Sequence, residues 1–312
     1  MSNRIKISTL EMAREDWLKL RRCGVGGSDA STIVGLNPWG SKLELYADKM
    51  GLIPEKEDNE AMRQGRDFED YVAQRWCEVT GKKVRRENHI LYNDDYPWAF
   101  ANLDRVVVGE KAILECKTTS VYNKSDFENG EVPDNYYVQC QHYLAVTGYD
   151  KAYLAVLVLN KGFYHYEIMR SDDEIKALME AEEAFWNDYV VAQKEPPADG
   201  SESAMRVLES RQRREDTVLM MDLDSNFDLY QVLSERIKGL DKERDTLKQG
   251  IIQRMGDGER GQAIHWSCSY LQQTKNTVDS KKLQANYPQA YAECAKTSEY
   301  RVFRTKELKE EK

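Results

Sequence analysis

The stretch ANLDRVVVGEKAILECKTT, residues 101–119, contains two β-type segments on either side of the turn GEK. Side chains alternate between the two faces of a strand, so Glu115 and Lys117 are predicted to project from one face and Cys116 into the core. Asp104 is predicted to lie on the neighbouring strand of the hairpin, where it can reach the same face. Two carboxylates and one ammonium are therefore expected to meet on the sheet.

Such a group suits a hard divalent cation. Mg²⁺ prefers oxygen ligands, keeps several waters and lets a substrate phosphate complete its shell. The carbonyl of Cys116 would add a third oxygen to Asp104 and Glu115, and Lys117 would orient an attacking water. An ordinary cross-strand salt bridge is the alternative interpretation. The apolar run Ala112–Leu114 favours a functional site, because ionisable groups are costly where a strand is buried.

The surrounding periodicity predicts the order helix, three strands, helix, two strands, helix, which is typical of an α/β (α+β) fold with a mixed sheet flanked by helices. Gly81 and Gly148 are predicted to end the first two helices, and Glu69 lies at the edge of the first helix's apolar stripe. The predicted segments are helix Glu60–Thr80, strands Val84–Tyr92, Trp98–Val108 and Ala112–Thr118, helix Asp134–Thr147, strands Ala152–Leu159 and Phe163–Met169, and helix Asp172–Gln193.

A boundary between two domains is predicted near residue 196, because EPPADGSES at 195–203 is rich in Pro, Gly and Ser. Residues 1–195 would form the domain that carries the chemistry, and residues 196–312 a helix-rich accessory region. In the latter, Asn226–Arg254 has a near-heptad apolar pattern with dense charge, and Gln262–Phe303 alternates weakly as short strands. Packing of the long helix on its own domain and an intermolecular coiled coil both remain open.

The composition limits the classes of function that fit. A net charge of -9 argues against bulk electrostatic coating of nucleic acid, so any basic contact must be local, at Arg21 and Arg22 or in the cluster 82–86. Solvated surface charge is the alternative for both. The six cysteines form no C-x-x-C pair, which favours reduced thiols over zinc, disulfide or iron–sulfur chemistry. No signal-peptide or membrane-length apolar run is present, and we expect a cytoplasmic protein.

The motifs together resemble a known nuclease superfamily. Asp104 and Glu115 follow the pattern D-x(10)-E-x-K, which is preceded by GRDFE ending at Glu69 and followed by QCQHY from Gln139 to Tyr143. With WLKLRRCGVGGSDASTIVGLNPW at the start, the pattern resembles the PD-(D/E)xK superfamily, specifically its lambda-exonuclease and YqaJ-type viral recombinase branch, over roughly residues 15–195. The Pro that normally precedes the Asp is absent here. The resemblance implies a restriction-endonuclease-like mixed central sheet flanked by helices.

It also implies a role for each matching acidic or basic residue. Asp104 and Glu115, with the Cys116 carbonyl, would bind Mg²⁺, for which Mn²⁺ would substitute. Lys117 would handle the nucleophilic water, and Glu69 would complete the acidic site through metal or water. A solvated helix residue is the alternative for Glu69.

Two further groups of residues match elements that relatives use to hold substrate. Gln139 would position substrate or nucleophile, and Tyr143, one helical turn on, shares its face; a surface amide and a packing residue are the alternatives. Arg21, Ser28 and Gly27 resemble an element that holds a terminal 5'-phosphate, because Arg and a Gly-rich helix start both bind anions. The alternatives are that Gly27 belongs to a simple turn and that Ser28 only caps a helix.

The function implied by the resemblance is a metal-dependent 5'-to-3' exonuclease. It would act on double-stranded DNA ends and leave 3' overhangs for phage or prophage recombination in a bacterial cell. The resemblance to relatives of this type also implies that the chain forms a ring-shaped homotrimer. It further implies a single-strand annealing protein as a partner. A structure-specific or endonucleolytic deoxyribonuclease on the same fold, and a non-catalytic DNA-binding scaffold, are the alternatives.

Overall fold

The computed structural model describes residues 6–55, 58–120, 127, 130–211, 217–218, 220, 222–298 and 300–308. The chain forms two compact units, Met1–Gln212 and Arg213–Lys312. The division falls after the boundary predicted near residue 196, because a further helix, Glu202–Glu209, packs its apolar face into the first unit. Ser201 starts that helix by accepting a hydrogen bond from the Ala204 N–H at 3.2 Å.

The first unit contains short N-terminal helices, a long helix, a series of strands and three later helices. Their bounds are β1 Lys6–Ser8, α1 Arg14–Arg22, β2 Val25–Gly26, α2 Gly27–Ile33, α3 Lys42–Lys49, α4 Glu60–Thr80, β3 Val84–Arg86, β4 His89–Asn93, β5 Tyr96–Asn102, β6 Arg105–Val107, β7 Ala112–Thr119, α5 Asp134–Thr147, β8 Lys151–Val158, β9 Gly162–Met169, α6 Asp172–Phe185 and α7 Glu202–Glu209.

The bounds of α4 and α5 agree with the prediction from sequence. Gly81 and Gly148 follow these helices with φ of 72° and 61°, the left-handed conformation that glycine adopts without strain. The predicted helix Asp172–Gln193 departs from the α-helical pattern after Phe185, where the chain continues as a π-helical segment, Trp186–Val191.

The strands form two sheets in the first unit. The five-stranded sheet has the order β3-β6-β7-β8-β9, and the four-stranded sheet the order β1-β4-β5-β2. β7 and β8 pair in parallel from Ala112↔Lys151 to Thr119↔Val158, because α5 crosses over between them. The other pairs of the larger sheet are antiparallel, so the predicted mixed sheet is confirmed.

The predicted strands Val84–Tyr92 and Trp98–Val108 are wrong as continuous elements. Each is divided into two strands that belong to different sheets: β3 and β6 pair in the larger sheet, and β4 and β5 in the smaller one. Leu103 explains the second break, because its side chain turns into the core that both sheets share and is only 4% exposed. Asp104 therefore lies in the bend before β6 and not on a strand.

Helices cover both faces of the five-stranded sheet. One face, with Ile113 and Leu154, packs against α5. The opposite face packs against Val72 and Trp76 of α4, which are fully buried and contribute about 1.5–3 kcal/mol each by leaving water. The apolar stripe predicted on α4 from the sequence comprises Phe68, Val72, Trp76 and Val79. It is shorter than expected, since Phe68 and Val79 at its ends are exposed. Side chains on β7 therefore face either α4 or α5.

The second unit consists mainly of helices. Its elements are α8 Asp224–Met255, β10 Arg260–Gln262, β11 Ser267–Ser269, α9 Ser280–Asn286 and α10 Pro288–Cys294. The predicted long helix is confirmed, but most of the strand character predicted for Gln262–Phe303 is wrong. Asp279 begins a helix there by accepting hydrogen bonds from two backbone N–H groups. Among the described residues, no helix has both the length and the apolar character that a membrane crossing requires.

Candidate active site

The strand β7 brings Glu115 and Lys117 together on the face that α5 covers. Lys117 Nζ lies 2.8 Å from Glu115 Oε1. The intervening Cys116 packs against the opposite cluster under α4, as strand alternation predicts. Glu115 is only 4% exposed, so this carboxylate needs charged or hydrogen-bonding partners.

Asp104 reaches the same place from its bend. Its Oδ2 accepts a hydrogen bond of 2.8 Å from the backbone N–H of Cys116, which holds the carboxylate against β7 beside the other two residues. The predicted convergence of Asp104, Glu115 and Lys117 is therefore present, although the element that carries Asp104 is a bend.

Gln139 of α5 joins the charged residues on β7. Its side-chain oxygen accepts a hydrogen bond from Lys117 Nζ at 2.9 Å, and its nitrogen donates to Glu115 Oε1 at 2.8 Å and to the Tyr143 hydroxyl at 3.0 Å. Gln139 is buried, so the alternative of a surface amide is wrong. Tyr143 is buried as well and both packs and accepts a hydrogen bond.

The electrostatics of this group are dominated by burial and by the closeness of its carboxylates to one another. Burial and the neighbouring Glu115 and Glu69 carboxylates raise the pKa of Asp104 well above its usual range. Burial opposes the charged form of Lys117, but the Glu115 and Asp104 carboxylates more than compensate and raise the pKa of its ammonium. Lys117 therefore stays a cation, and any further cation nearby would favour the charged form of Asp104.

Glu69 takes part in an ion-pair network on the other side of Asp104. Arg105, whose side chain is 6% exposed, pairs with both Glu69 and Asp70 of α4 and donates to the Asp104 carbonyl at 2.5 Å. Glu69 is thus held near the site and is not a freely solvated helix residue. Sequence reasoning missed Arg105, although alternation along β6 turns it away from Asp104 towards α4, where a buried cation needs partners.

The residues present fit a magnesium ion that keeps most of its waters. Within the ranges that the structure describes, no three His, Cys, Asp or Glu side chains are grouped as a complete ligand set. Mg²⁺ usually needs only one or two carboxylates, with waters and substrate phosphates completing six ligands. Asp104 and Glu115 with the Cys116 carbonyl would supply such a set, and a bound cation would offset the burial and the neighbouring carboxylates that raise the pKa of Asp104.

The residues predicted to form an end pocket lie together at the start of α2. Arg21 Nη2 is 3.5 Å from the Ser28 hydroxyl and 3.6 Å from Asp29 Oδ1. Asp29 is buried, and its Oδ2 accepts hydrogen bonds from the Gly26 N–H at 3.0 Å and from Lys49 Nζ at 2.6 Å. Gly26 is the N-cap residue, so the alternative that Ser28 only caps the helix is wrong and its hydroxyl is exposed.

Lys49 was not predicted from sequence. It is fully buried, and its ammonium binds both Asp29 and the Arg21 carbonyl, the latter at 2.8 Å. Nothing in the local pattern of α3 distinguishes it from a solvated lysine, because its partners are distant in sequence.

Gly27 connects the end pocket with the group on β7. A Cβ atom at Gly27 would lie 2.4 Å from Tyr143 Cε1, so only glycine lets α2 approach α5 this closely. The alternative that Gly27 belongs to a simple turn is therefore incomplete, since the residue also has a packing role. Ser28 follows Gly27 in sequence, and Gln139 donates a hydrogen bond to the Tyr143 hydroxyl, so the Gly27–Tyr143 contact links the two groups of residues.

Most of the second basic cluster is already neutralised. Ion pairs join Lys82 to Glu110, Arg85 to Glu87 and Arg86 to Asp70. Arg22 lies 3.6 Å from Asp48. Because these basic side chains already pair with carboxylates, they leave less positive charge for binding phosphates than the cluster at 82–86 suggests from sequence.

Comparison with known proteins agrees with the motifs. The model of the YqaJ-like viral recombinase domain matches residues 16–150. Over 305 residues the chain is 41% identical to the uncharacterized protein YqaJ of Bacillus subtilis (strain 168), and the match covers 96% of each chain. The chain belongs to the YqaJ-like viral recombinase family.

Solved structures show a similar fold at low sequence identity. LHK-Exo in complex with dAMP matches with a TM-score of 0.50 and 19% identity, over 57% of this chain and 93% of that one. A second structure, of the alkaline exonuclease LHK-Exo from Laribacter hongkongensis, gives a TM-score of 0.49 and 20% identity with the same coverage. The α/β fold predicted from the order of helices and strands is thus one that an exonuclease structure shares.

Proposed function

We propose that this YqaJ-family protein is a magnesium-dependent deoxyribonuclease that degrades double-stranded DNA from its ends. The observation that carries the proposal is the Lys117 ammonium, held 2.8 Å from Glu115 and 2.9 Å from Gln139 beside the buried Asp104. A structural role alone would not require so much buried charge in one place. The exonuclease named among the structurally similar proteins supports the same reaction class.

Each residue of the group has a distinct task in phosphodiester hydrolysis. Asp104 and Glu115 would hold Mg²⁺, or Mn²⁺ in its place, with the Cys116 carbonyl. Such an ion would supply charge neutralisation at the phosphate and a lower pKa for a water molecule. Lys117 remains protonated and stabilises negative charge that develops on the phosphate, and Gln139 fixes its position. Glu69, oriented by Arg105, completes the acidic side.

We infer the direction of digestion from the residues at the start of α2. Arg21 and Ser28 would bind a terminal 5'-phosphate, since guanidinium and hydroxyl groups both donate hydrogen bonds to phosphate oxygens. Gly27 packs against Tyr143 of α5, and Tyr143 accepts a hydrogen bond from Gln139, which binds Lys117. A 5' end bound at Arg21 and Ser28 would therefore bring a nearby phosphodiester to the site of hydrolysis. The product would be a 3' overhang for recombination, handed to a single-strand annealing protein.

The test is digestion of end-labelled duplex with Mg²⁺, comparing linear 5'-phosphate, linear 5'-hydroxyl and closed-circular DNA. We expect linear DNA with a 5'-phosphate to be degraded fastest and Lys117→Ala to abolish the reaction. Lys161→Ala, in the exposed turn between β8 and β9, is the matched control. Equal digestion of circular DNA would identify an endonuclease, and an active Lys117→Ala protein would refute the proposed site.

A further inference from the structure

The long helix α8 carries an apolar stripe with alternating spacings of four and three residues. The members are Leu233, Ile237, Leu240, Leu247 and Ile251, and Arg244 takes one place in the series. Each of these five apolar side chains is between 47 and 70% exposed. In the described part of the chain, no residue of α8 is buried.

A helix of this composition needs a partner for its stripe. Most helices in proteins are stabilised by packing an apolar face, because intrinsic propensity alone is marginal in water. Gly239 and Gly250 lower the propensity of α8 further. The stripe also has the seam of a coiled coil, with Ile at the a positions 237 and 251 and Leu at the d positions 233, 240 and 247. That distribution favours two strands.

The charges beside the seam indicate which partner fits. Arg236 and Glu243 occupy g positions, directly before the a positions of the heptad. Asp241 and Lys248 occupy e positions, directly after the d positions. In a parallel, in-register pair, a residue before an a position faces the residue five places later on the other helix. Arg236 then faces Asp241 of a second copy. Glu243 faces Lys248 in the same way, so both contacts are attractive.

Arg244 is compatible with this pairing. In its own helix it lies 2.9 Å from Asp241, so its guanidinium leaves the seam and only its aliphatic stem covers apolar surface. A single polar residue at an a position fixes register and strand number at some cost in stability. Within the described residues, Arg236, Glu243 and Lys248 make no ion pair and are available to a second helix.

We propose that α8 forms a parallel, two-stranded coiled coil with α8 of a second copy of this chain, a pairing that is separate from the ring-shaped homotrimer implied by the resemblance. The inference stands on the second unit alone and does not depend on the proposed nuclease activity. A different protein seated on the stripe would leave the self-association of the chain insensitive to substitutions there.

The first test measures the mass of the full chain by sedimentation equilibrium over a range of concentrations. The variant Ile237→Glu/Leu240→Glu places charge in the seam, and we expect self-association to weaken by on the order of 100-fold. Lys238→Glu/Lys242→Glu, on the outer face of the same helix, should leave it unchanged. A wild-type chain that never exceeds the monomer mass, or a seam variant with the wild-type mass profile, would overturn the proposal.

The second test depends only on exposed charges and therefore does not risk the fold. Arg236→Glu alone and Asp241→Arg alone each replace attraction by repulsion in a homodimer, so each should self-associate several-fold more weakly. Mixed together, the two variants restore both contacts, and we expect a preferred mixed dimer at near wild-type affinity. Mixing that gives no more association than either variant alone would contradict the parallel register.

Discussion

Gln139 connects the charged residues of β7 to the helix that covers them. Its amide satisfies both Lys117 and Glu115, so neither has to turn towards solvent for a hydrogen bond. Tyr143, one turn later, accepts the remaining N–H. A residue that fixes the direction of a reacting group usually affects the rate without touching the substrate.

Replacing Gln139 by Leu should lower the rate of DNA hydrolysis roughly 10- to 100-fold, because Lys117 loses the acceptor that orients it. Gln141→Leu, two residues along the same helix, is the matched control, since Gln141 bonds to the Met169 carbonyl instead. Activity per folded molecule, with folding checked by circular dichroism, separates the two. Equal rates for both variants would mean that Gln139 has no part in the reaction.

A second buried pair, His142 and Glu182, predicts how stability depends on pH. Burial would lower the pKa of His142, but the Glu182 carboxylate 2.8 Å away raises it above its usual value of 6.5. Burial also raises the pKa of Glu182 above 4.5. The folded protein therefore holds protons that the unfolded chain has lost, on Glu182 above about pH 4.5 and on His142 above about pH 6.5. The protonated His142 therefore contributes to the free energy of unfolding below pH 6.5, and this contribution is lost as pH rises through the raised pKa that His142 has in the folded protein.

Glu182→Gln should flatten this dependence, because the carboxylate that holds the proton on His142 is gone. The measurement is urea unfolding of both proteins between about pH 6 and pH 8. We expect the free energy of unfolding of the wild type to fall more steeply with pH than that of the variant. Parallel pH profiles would show that the pair does not titrate in this range.

At the scale of elements, the sequence predicts a helix or strand correctly where the periodicity of that one segment determines its bounds and faces. Strand alternation placed Glu115 and Lys117 on one face, and Gly81 and Gly148 ended α4 and α5 as predicted. The break at Leu103 was missed, since it depends on a core shared by two sheets that no local window contains.

Contacts between distant elements were also beyond local patterns. Lys49 finds its partner Asp29 across two helices, and Arg105 finds Glu69 on α4. A buried cation has the same sequence letters as a solvated one, so only the tertiary arrangement distinguishes them.

The contact between α2 and α5 gives a prediction about stability. Gly27→Ala should cost about 1–3 kcal/mol in the free energy of unfolding, because its methyl group would overlap the Tyr143 ring. Gly65→Ala in α4 is the control: nothing lies within 4 Å of the added atom, and Ala should stabilise that helix by about 0.5–1 kcal/mol. Urea unfolding measures both. A Gly27→Ala protein as stable as Gly65→Ala would contradict the close approach.

For the whole molecule, acidity and local basic contacts together determine how it can meet DNA. The net charge is -9 and most of the cluster 82–86 lies in ion pairs, so we propose Arg21 as the local contact for a phosphate: it shares the single buried carboxylate of Asp29 with Lys49 and lies 3.5 Å from the Ser28 hydroxyl. This proposal predicts a higher affinity for DNA ends than for internal DNA.

Arg21→Ala should reduce the ratio of digestion rates on 5'-phosphate and 5'-hydroxyl ends towards one, because its guanidinium is the proposed hydrogen-bond donor to the terminal phosphate. Arg22→Ala is the neighbouring control, since Arg22 is directed to Asp48. Initial rates on otherwise identical duplexes give the ratio. A ratio that Arg21→Ala leaves intact, or that Arg22→Ala lowers equally, would place the recognition of the end elsewhere.

The claim on which the account depends most is that Asp104 and Glu115 hold a divalent cation. Calorimetric titration of the full chain with Mn²⁺ and with Mg²⁺ tests it directly, with Asp104→Asn as the variant and Asp94→Asn, in the exposed turn before β5, as its control. We expect binding by the wild type and the control, and an affinity weakened at least about tenfold in Asp104→Asn. Absence of binding by the wild type, or equal affinity in Asp104→Asn, would contradict it.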